Sequence, residues 1–154
     1  MGVKTTYTKI AERIVARDML RVLDVGCGEG KLGLALRRLK YQGEYFGIDC
    51  DQIAVDRLRE HGLEGERSDV RWWDVKPNTQ YCIVAKDVPL DNGLLVHTIR
   101  LARCYFITSF TPPQQAYAAE VVCVAEKHGF IPLWDESDVV STHPLLLFER
   151  TSHR

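Results

Sequence analysis

The sequence predicts an α/β protein, a three-layer sandwich around a mostly parallel, seven-stranded sheet that ends in an antiparallel β-hairpin. Short β-rich runs alternate with longer amphipathic segments along most of the chain, which indicates a parallel sheet covered on both faces. The last two apolar runs, FIPLW and PLLLFER, are close enough in sequence to form the hairpin. A length of 154 residues suits a single domain over 1–154.

The predicted strands are short apolar runs bounded by polar or glycine-containing turns. In chain order they cover 21–27, 44–50, 64–69, 81–88, 104–110, 130–134 and 144–150. The third run is more polar, as a strand at the edge of a sheet can be. Ligands of open α/β sheets bind outside the carboxyl ends of the strands, so the segments after strands one, two, four and five should share one rim.

The predicted helices carry apolar residues at helical spacing. They cover 7–18, 30–41, 51–62, 92–103 and 111–129. The last predicted helix begins with residues typical of a helix N-terminus. Thr111 is an N-cap candidate, and Gln114 occupies the capping-box position.

The composition argues against several functional classes. Hydrophobic residues make up 45% and charged residues 27% of the chain, as in an ordinary soluble globular protein. The net charge of −1 does not favour a dedicated nucleic-acid binder, which usually carries a basic face. No apolar stretch approaches the roughly 20 residues needed to cross a bilayer, so no membrane partner is expected.

The five cysteines lack the C-x-x-C spacing of metal and redox motifs. Their odd number, together with an N-terminus that has no apolar signal region, predicts reduced thiols and a cytoplasmic location. No metal site is predicted.

The segment RVLDVGCGEGK places Gly26, Gly28 and Gly30 directly after the first predicted strand. Glycines permit positive φ and let the backbone approach a ligand closely. A dinucleotide-binding fingerprint would need a further glycine where Lys31 stands. The loop is therefore suited to a nucleotide-like ligand but departs from the dinucleotide pattern.

The charges around this loop indicate what kind of nucleoside it binds. Asp24 precedes the loop and Glu29 lies within it, and two carboxylates would repel a pyrophosphate. Asp49 ends the second strand about 20 residues beyond the glycines, where an acid hydrogen-bonds ribose hydroxyls. S-Adenosylmethionine, a nucleoside with a sulfonium and an ammonium group, fits both observations.

Two segments carry a family resemblance. VLDVGCGEG resembles motif I of class I S-adenosylmethionine-dependent methyltransferases, and YFGIDCDQIAVDRLRE is similar to their second-strand motif. The predicted order of elements is similar to the family's Rossmann-like, seven-stranded fold, so the resemblance covers nearly the whole chain. It implies S-adenosylmethionine as methyl donor and S-adenosylhomocysteine as product.

The resemblance also implies roles for the residues of motif I. Gly26, Cys27 and Gly28 would lie beside the methionine part of the cofactor, and Gly30 would complete this part of the site. Asp24 would face the ammonium group.

Further along the chain, Asp49 would bind the ribose hydroxyls and Cys50 would pack on the adenine. The family also has an acid near the adenine amino group at the end of strand three. Asp69 fits this role by its distance from the preceding helix, and Asp74 fits because it follows the strand-like VRWW. Asp69 is preferred, with Val70 beside it as an adenine wall.

The segment AKDVPLDNG follows strand four, where the amino-methylating branch of the family carries D/N-P-P-Y/F. The DVPL at 87–90 lacks the second proline and the aromatic residue, which disfavours nucleobase N-methylation. Lys86 and Asp87 are candidates for the acceptor rim, as catalytic groups or as a strand-end salt bridge. His143, in the final hairpin, is either a general base, since imidazole titrates near neutrality, or an incidental loop residue.

The sequence thus predicts a methyltransferase of minimal size, with a small-molecule acceptor slightly favoured over protein or RNA. The alternative is a non-catalytic cofactor-binding or interaction subunit that keeps the fold. Because the chain leaves little for a separate recognition domain, an open site is expected, which suits a bulky acceptor or a partner subunit or second copy that completes it. Tyr7 in the leading segment is a candidate to close over the cofactor.

Overall fold

The sheet is the organising element of the fold. A computed structural model describes residues 4–73, 80–86, 92–111, 117–138 and 143–151. Its strands are β1 (Arg21–Val25), β2 (Glu44–Asp49), β3 (Gly65–Arg67), β4 (Gln80–Lys86), β5 (Ala102–Ser109), β6 (Phe130–Pro132) and β7 (Leu145–Arg150).

All seven strands belong to one sheet in the order β3-β2-β1-β4-β5-β7-β6. Strands β3, β2, β1, β4 and β5 pair in parallel, and β7 pairs antiparallel with both β5 and β6. This confirms the predicted fold class, including the polar third strand at one edge and the hairpin at the other.

Helices cover the sheet at the predicted places. They are α1 (Thr6–Ala16), α2 (Lys31–Arg38), α3 (Gln52–Glu60), α4 (Asn92–Leu101) and α5 (Ala118–Lys127), with short 3-10 helices at Val70–Trp72 and Trp134–Glu136. Among the described α-helices, two N-cap residues use their side chains as expected for their residue types: Thr5 accepts a hydrogen bond from the Thr8 N–H, and Asp51 accepts one from the Ile53 N–H. Gln114 lies outside the described residues.

The sheet separates two apolar layers. Ile83 and Ala85 of β4 pack into a layer with α4 and α5, whereas Cys82 and Val84 pack into a layer with α1 and α2. Side chains alternate between the two faces of a strand, so β4 is buried on both sides, as the central strand of a parallel sheet must be. The three-layer arrangement follows from this double burial.

The carboxyl ends of the first three strands are tied to one another by backbone hydrogen bonds. The N–H groups of Gly26 and Cys27 donate to the Ile48 carbonyl at 2.8 and 3.1 Å. The Ser68 N–H donates to the Asp49 carbonyl at 2.9 Å. The loops that follow these strands are therefore held at one rim of the sheet.

Helix α1 is fixed to the segment between the last two strands. Lys9 forms a 2.8 Å ion pair with Asp138, and both side chains are about three-quarters buried. The Arg13 guanidinium donates to the Glu136 carbonyl from the next turn of the helix. These contacts hold α1 beside the rim formed by the carboxyl ends of the strands.

In the part of the chain that the structure describes, no helix has the length and apolar character that crossing a bilayer requires.

Gly47 of β2 lies where a side chain would not fit. A Cβ at this position would stand 2.7 Å from the Cys27 Sγ and 2.9 Å from the Leu58 Cδ1. The absence of a side chain thus lets the glycine loop and α3 approach β2.

We expect Gly47→Ala to lower the free energy of unfolding by about 1–3 kcal/mol, because the added methyl group overpacks this contact. Urea denaturation measures the change. Ile53→Ala, at a side chain that is 64% exposed, is the control and should change stability by less than about 0.5 kcal/mol. Equal stability of Gly47→Ala and the wild type would contradict the packing argument.

Candidate active site

A cavity of about 350 Å³ lies at the carboxyl ends of β1, β2, β3 and β4. This is within the usual size range of small-molecule sites. Five residues that the sequence assigned to the cofactor line it: Gly26, Asp49, Cys50, Asp69 and Val70.

The sequence missed other lining residues or placed them differently. Ser68 and Arg71 flank the predicted acid and adenine wall, and their place beside Asp69 and Val70 is the signal that could have suggested them. Leu94 enters from α4, and no signal in the sequence links it to the site. Lys86, a candidate for the acceptor rim, lines this same cavity.

The glycine loop adopts the backbone conformation that its composition predicts. Gly26, Gly28 and Gly30 have φ values of 70°, 55° and 92°, in the left-handed region where glycine is favoured. The Gly28 N–H donates to Asp49 Oδ2 at 2.9 Å. A Cβ on Gly30 would meet Leu63 Cδ1 at 2.5 Å, so this glycine also permits close packing beneath α2.

The Asp49 carboxylate uses both of its oxygens to hold the rim together. Oδ2 accepts from Gly28 and Oδ1 accepts from the Asp51 N–H, both at 2.9 Å. Asp51, rather than Asp49, caps α3. Each carboxylate oxygen keeps a further lone pair, so Asp49 can still accept hydrogen bonds from a ligand in the cavity.

Asp69 stands at the other end of the cavity and is paired with Arg71. It caps the 3-10 helix by accepting from the Arg71 N–H at 2.9 Å, and its Oδ2 lies 2.7 Å from the Arg71 Nη2. Hydrogen bonding from the Arg71 side chain lowers the pKa of Asp69. Asp74 lies outside the described residues, so the preference for Asp69 as the adenine contact stays a prediction.

Asp24 is buried behind the cavity wall, with only 3% of its surface exposed. The Tyr45 hydroxyl donates to its Oδ2 at 2.6 Å. Burial raises the pKa of Asp24 to about 7, the nearby Asp49 adds to this rise, and Tyr45 and Lys86 oppose it. The carboxylate is thus poised to change charge near neutrality.

Cys27, Gly28 and Gly30, like Asp24, do not line the cavity. Cys27 is buried against the position of Gly47. Direct contact of these four residues with a cofactor stays a prediction. In the structure, Gly28 and Gly30 set the backbone conformation of the loop, and the buried Cys27 and Asp24 pack beneath it.

The two consecutive tryptophans have different environments. Trp73 stacks on Phe46 with ring centroids 6.4 Å apart, and its indole N–H donates to Glu66 Oε1 at 2.7 Å. Trp72 is 83% exposed. Trp73 therefore covers an edge of the core, and Trp72 faces solvent.

At the end of β4, the Lys86 ammonium lies 4.3 Å from the centroid of the Tyr7 ring. His143 is exposed, and the next residue, Pro144, accepts a hydrogen bond from the Phe110 N–H just beyond β5. His143 is thus near the rim but is not part of the cavity lining. Asp87 lies outside the described residues, so both candidate catalytic residues stay predictions.

Within the described ranges, no three His, Cys, Asp or Glu side chains are grouped so as to hold a metal ion.

Known proteins that resemble this chain in sequence or in fold include methyltransferases. Residues 16–71 match the Methyltransf_31 family model, described as a methyltransferase domain. A TehB-like SAM-dependent methyltransferase from Corynebacterium glutamicum is 18% identical, with a TM-score of 0.70 over 97% of this chain and 90% of that one. The methyltransferase domain of bacterial CtHen1-CN is 17% identical, with a TM-score of 0.75 over 93% and 96% of the two chains. The chain thus has the fold of class I S-adenosylmethionine-dependent methyltransferases, as the motif resemblance predicted.

Curated relatives match over a shorter region. The trans-aconitate 2-methyltransferase of Rhodococcus jostii (strain RHA1) is 34% identical over 77 residues, which are 50% of this chain and 30% of that protein. The protein of the same name from Mycobacterium sp. (strain KMS) is 32% identical over 89 residues, or 58% and 32% of the two chains. The matched region thus spans about a third of these relatives.

The burial of Asp24 predicts a pH-dependent effect of its replacement. The native state keeps the Asp24 proton up to about pH 7, whereas the unfolded chain loses it near the ordinary aspartate pKa of 3.8. The native state therefore binds more protons between these values, and the ionised carboxylate destabilises the fold fully only above pH 7.

We expect Asp24→Asn to raise the free energy of unfolding at pH 8 by about 2–4 kcal/mol relative to wild type, and by much less at pH 4. The amide oxygen can still accept from Tyr45. Urea denaturation at both pH values measures the difference, with the surface variant Asp56→Asn as control. The same Asp24→Asn difference at pH 4 and pH 8 would contradict the burial argument.

Proposed function

We propose that this protein binds S-adenosylmethionine in the cavity at the ends of β1, β2, β3 and β4 and transfers its methyl group to an acceptor. The observation that carries the proposal is the Asp49 carboxylate, which lines the cavity and is bonded to the glycine loop. An acid at the end of the second strand, beside such a loop, is suited to bind ribose hydroxyls. The fold class supports the same ligand.

The chemistry of the cavity fits this cofactor. Its size admits a nucleoside, Asp49 can accept from ribose, and Asp69 lies one strand further toward the adenine end. The ionised form of Asp24, which prevails above about pH 7, supplies a negative charge beside the loop for a cationic ligand. When bound, the cofactor would supply a methyl carbon bonded to a sulfonium. An acceptor nucleophile would attack that carbon in line with the C–S bond, and S-adenosylhomocysteine would leave with the electron pair of that bond.

In this proposal the protein acts mainly by positioning. In-line methyl transfer gains most from holding two reactants in the right geometry, and a base is needed only where the acceptor must lose a proton. The hydrogen bonds from Gly28 and Asp51 fix the Asp49 carboxylate before any ligand arrives. His143 and Asp87 are the proposed candidates for moving an acceptor proton.

We propose a small-molecule acceptor. The near-zero net charge gives no general attraction for nucleic acid, and the curated relatives are named for a small carboxylic acid. The matched region is only about a third of those relatives, so trans-aconitate is a first probe rather than an assigned substrate. A second copy or a partner subunit that completes the open site belongs to the same proposal.

Asp49→Asn should weaken S-adenosylhomocysteine binding at least tenfold, because the amide offers one acceptor oxygen in place of two and carries no charge. Calorimetric titration of the folded protein measures the affinity. The matched control is Asp56→Asn, since Asp56 lies on α3 and bonds only Gln52 among the described contacts. Wild type that binds neither donor nor product would refute the proposed cofactor, and equal affinity in Asp49→Asn would refute the role of Asp49.

A proton-transfer role predicts a loss of turnover without a loss of binding. If either candidate is the base, Asp87→Asn or His143→Gln lowers kcat about 100-fold or more and leaves the affinity for S-adenosylhomocysteine unchanged. Product formation is first surveyed with trans-aconitate and with small molecules that carry a hydroxyl or amino group, and the variants are compared on the best acceptor whose attacking group must lose a proton. His61→Gln, at an exposed site after α3, is the control.

Unchanged kcat in both variants would show that neither residue is the base. Tight cofactor binding with no turnover on any acceptor, alone or with a partner, would instead favour a non-catalytic subunit that keeps the fold.

A further inference from the structure

A second cavity, of about 420 Å³, lies at the other end of β2 from the candidate active site. Gln42 and Gly43 line it and precede β2, whereas Asp49 at the far end of the strand lines the cavity of the candidate active site. A strand of this length separates the two by roughly 17 Å. The second cavity has the size of a small-molecule site, and the two cavities share no lining residue among the described ones.

One wall of the second cavity is largely apolar and is fixed in place. Four described residues supply this wall: Leu36, Leu63, Tyr41 and Tyr45. The Tyr45 hydroxyl donates to Asp24 at 2.6 Å, and the Tyr41 hydroxyl donates to the Met19 carbonyl. Because both hydroxyls are already bonded, the rings are held before any ligand arrives, and little side-chain freedom is lost on binding. The wall is suited to a planar apolar group.

The same cavity is lined by two exposed cations, Arg37 and Lys40, and none of its described lining residues is acidic. Neither side chain forms an ion pair or a hydrogen bond with another residue in the part of the chain that the structure describes. The Arg37 guanidinium reaches from α2 toward the turn after α3, where a Cβ on Gly62 would stand 3.5 Å from its Nη2. An unpaired guanidinium is suited to bind a carboxylate with two parallel hydrogen bonds.

Lys40 stands where a helix commonly ends in glycine. The Tyr41 N–H donates to the Leu36 carbonyl and the Lys40 N–H to the Arg37 carbonyl, both at 3.0 Å, which is the Schellman pattern of a helix C-terminus. Lys40 takes the left-handed conformation of this motif, with a φ of 58°, which costs a lysine more than a glycine. A helix C-terminus favours a cation, but Arg38 in the last turn already supplies one. The end of α2 therefore does not by itself explain a lysine at this position.

We propose that the second cavity binds a small aromatic carboxylic acid, with its ring against Tyr41 and Tyr45 and its carboxylate between Arg37 and Lys40. A neutral aromatic molecule would leave both cations unpaired, and an inorganic anion would leave the apolar wall uncovered. A ligand that carries both a ring and an anion uses the whole lining. This inference is independent of the proposed function, because none of these four residues lines the cavity of the candidate active site.

The probe is 2-naphthoate, and its neutral counterpart is 2-naphthamide, which has the same rings without the charge. Calorimetry on the full chain should show one molecule of 2-naphthoate bound at least tenfold more tightly than the amide. Inorganic phosphate, which has charge without an apolar group, should compete at least tenfold less well than unlabelled 2-naphthoate does.

Two variants test the cations. Arg37→Gln and Lys40→Gly should each weaken 2-naphthoate about tenfold or more, because each removes one of the two charges. Lys40→Gly introduces the residue that favours a positive φ, so it should not lower the temperature of thermal unfolding. Arg38→Gln is the matched control, since Arg38 is exposed on the same helix and does not line the cavity. Lys86→Met, in the cavity of the candidate active site, should also leave the affinity for 2-naphthoate unchanged.

Wild type that does not bind 2-naphthoate overturns the inference, as does equal affinity for the acid and the amide or equal competition by phosphate. Unchanged affinity in either Arg37→Gln or Lys40→Gly overturns it as well. An equal loss in Arg38→Gln would indicate a general effect of surface charge, and a loss in Lys86→Met would place the acid in the other cavity, so both results contradict it. All of these outcomes leave S-adenosylhomocysteine binding, and with it the proposed function, untouched.

Discussion

The carboxylate of Asp49 is the interaction on which the site depends. Its two oxygens accept from the backbone of Gly28 and Asp51, so one side chain joins the glycine loop, the end of β2 and the start of α3. These hydrogen bonds to an ionised group are stronger than neutral ones and orient the carboxylate toward the cavity. The same group that holds the rim together also lines the cavity, so the shape of the cavity wall depends on the hydrogen bonds of this one side chain.

Much of the fold could be predicted because the local residue patterns of the strands and helices agree with the order in which the sheet is built. The alternation of strand and helix, the polar edge strand β3 and the final hairpin all appear in the observed topology. The predicted strand ends were off by up to a few residues, as at β1, which ends at Val25 because the loop backbone turns to donate to Ile48. Hydrophobic periodicity identifies an element, whereas such long-range hydrogen bonds decide where it stops.

The site could be predicted only where it is built from consecutive residues. Asp49 ends β2 and Asp69 lies just after β3, and both were found from that position. The contact between Tyr7 and Lys86, in contrast, joins segments that are far apart in sequence. The buried Asp24 carboxylate likewise accepts a hydrogen bond from Tyr45 of the neighbouring strand, and no local sequence pattern predicts this pair. Such contacts between residues far apart in sequence could be found only from the three-dimensional structure.

The positions of the cysteine thiols allow the cavity to be labelled chemically. Of the five free cysteines, Cys50 and Cys123 are exposed and the other three are buried. Cys50 lines the cavity, whereas Cys123 lies on α5 in one of the outer layers. An alkylating reagent attached to Cys50 would occupy space that a ligand needs, and the same reagent on Cys123 would leave that space open. A bound ligand should in turn shield one thiol and not the other, so covalent labelling reports occupancy of the cavity without knowledge of the acceptor.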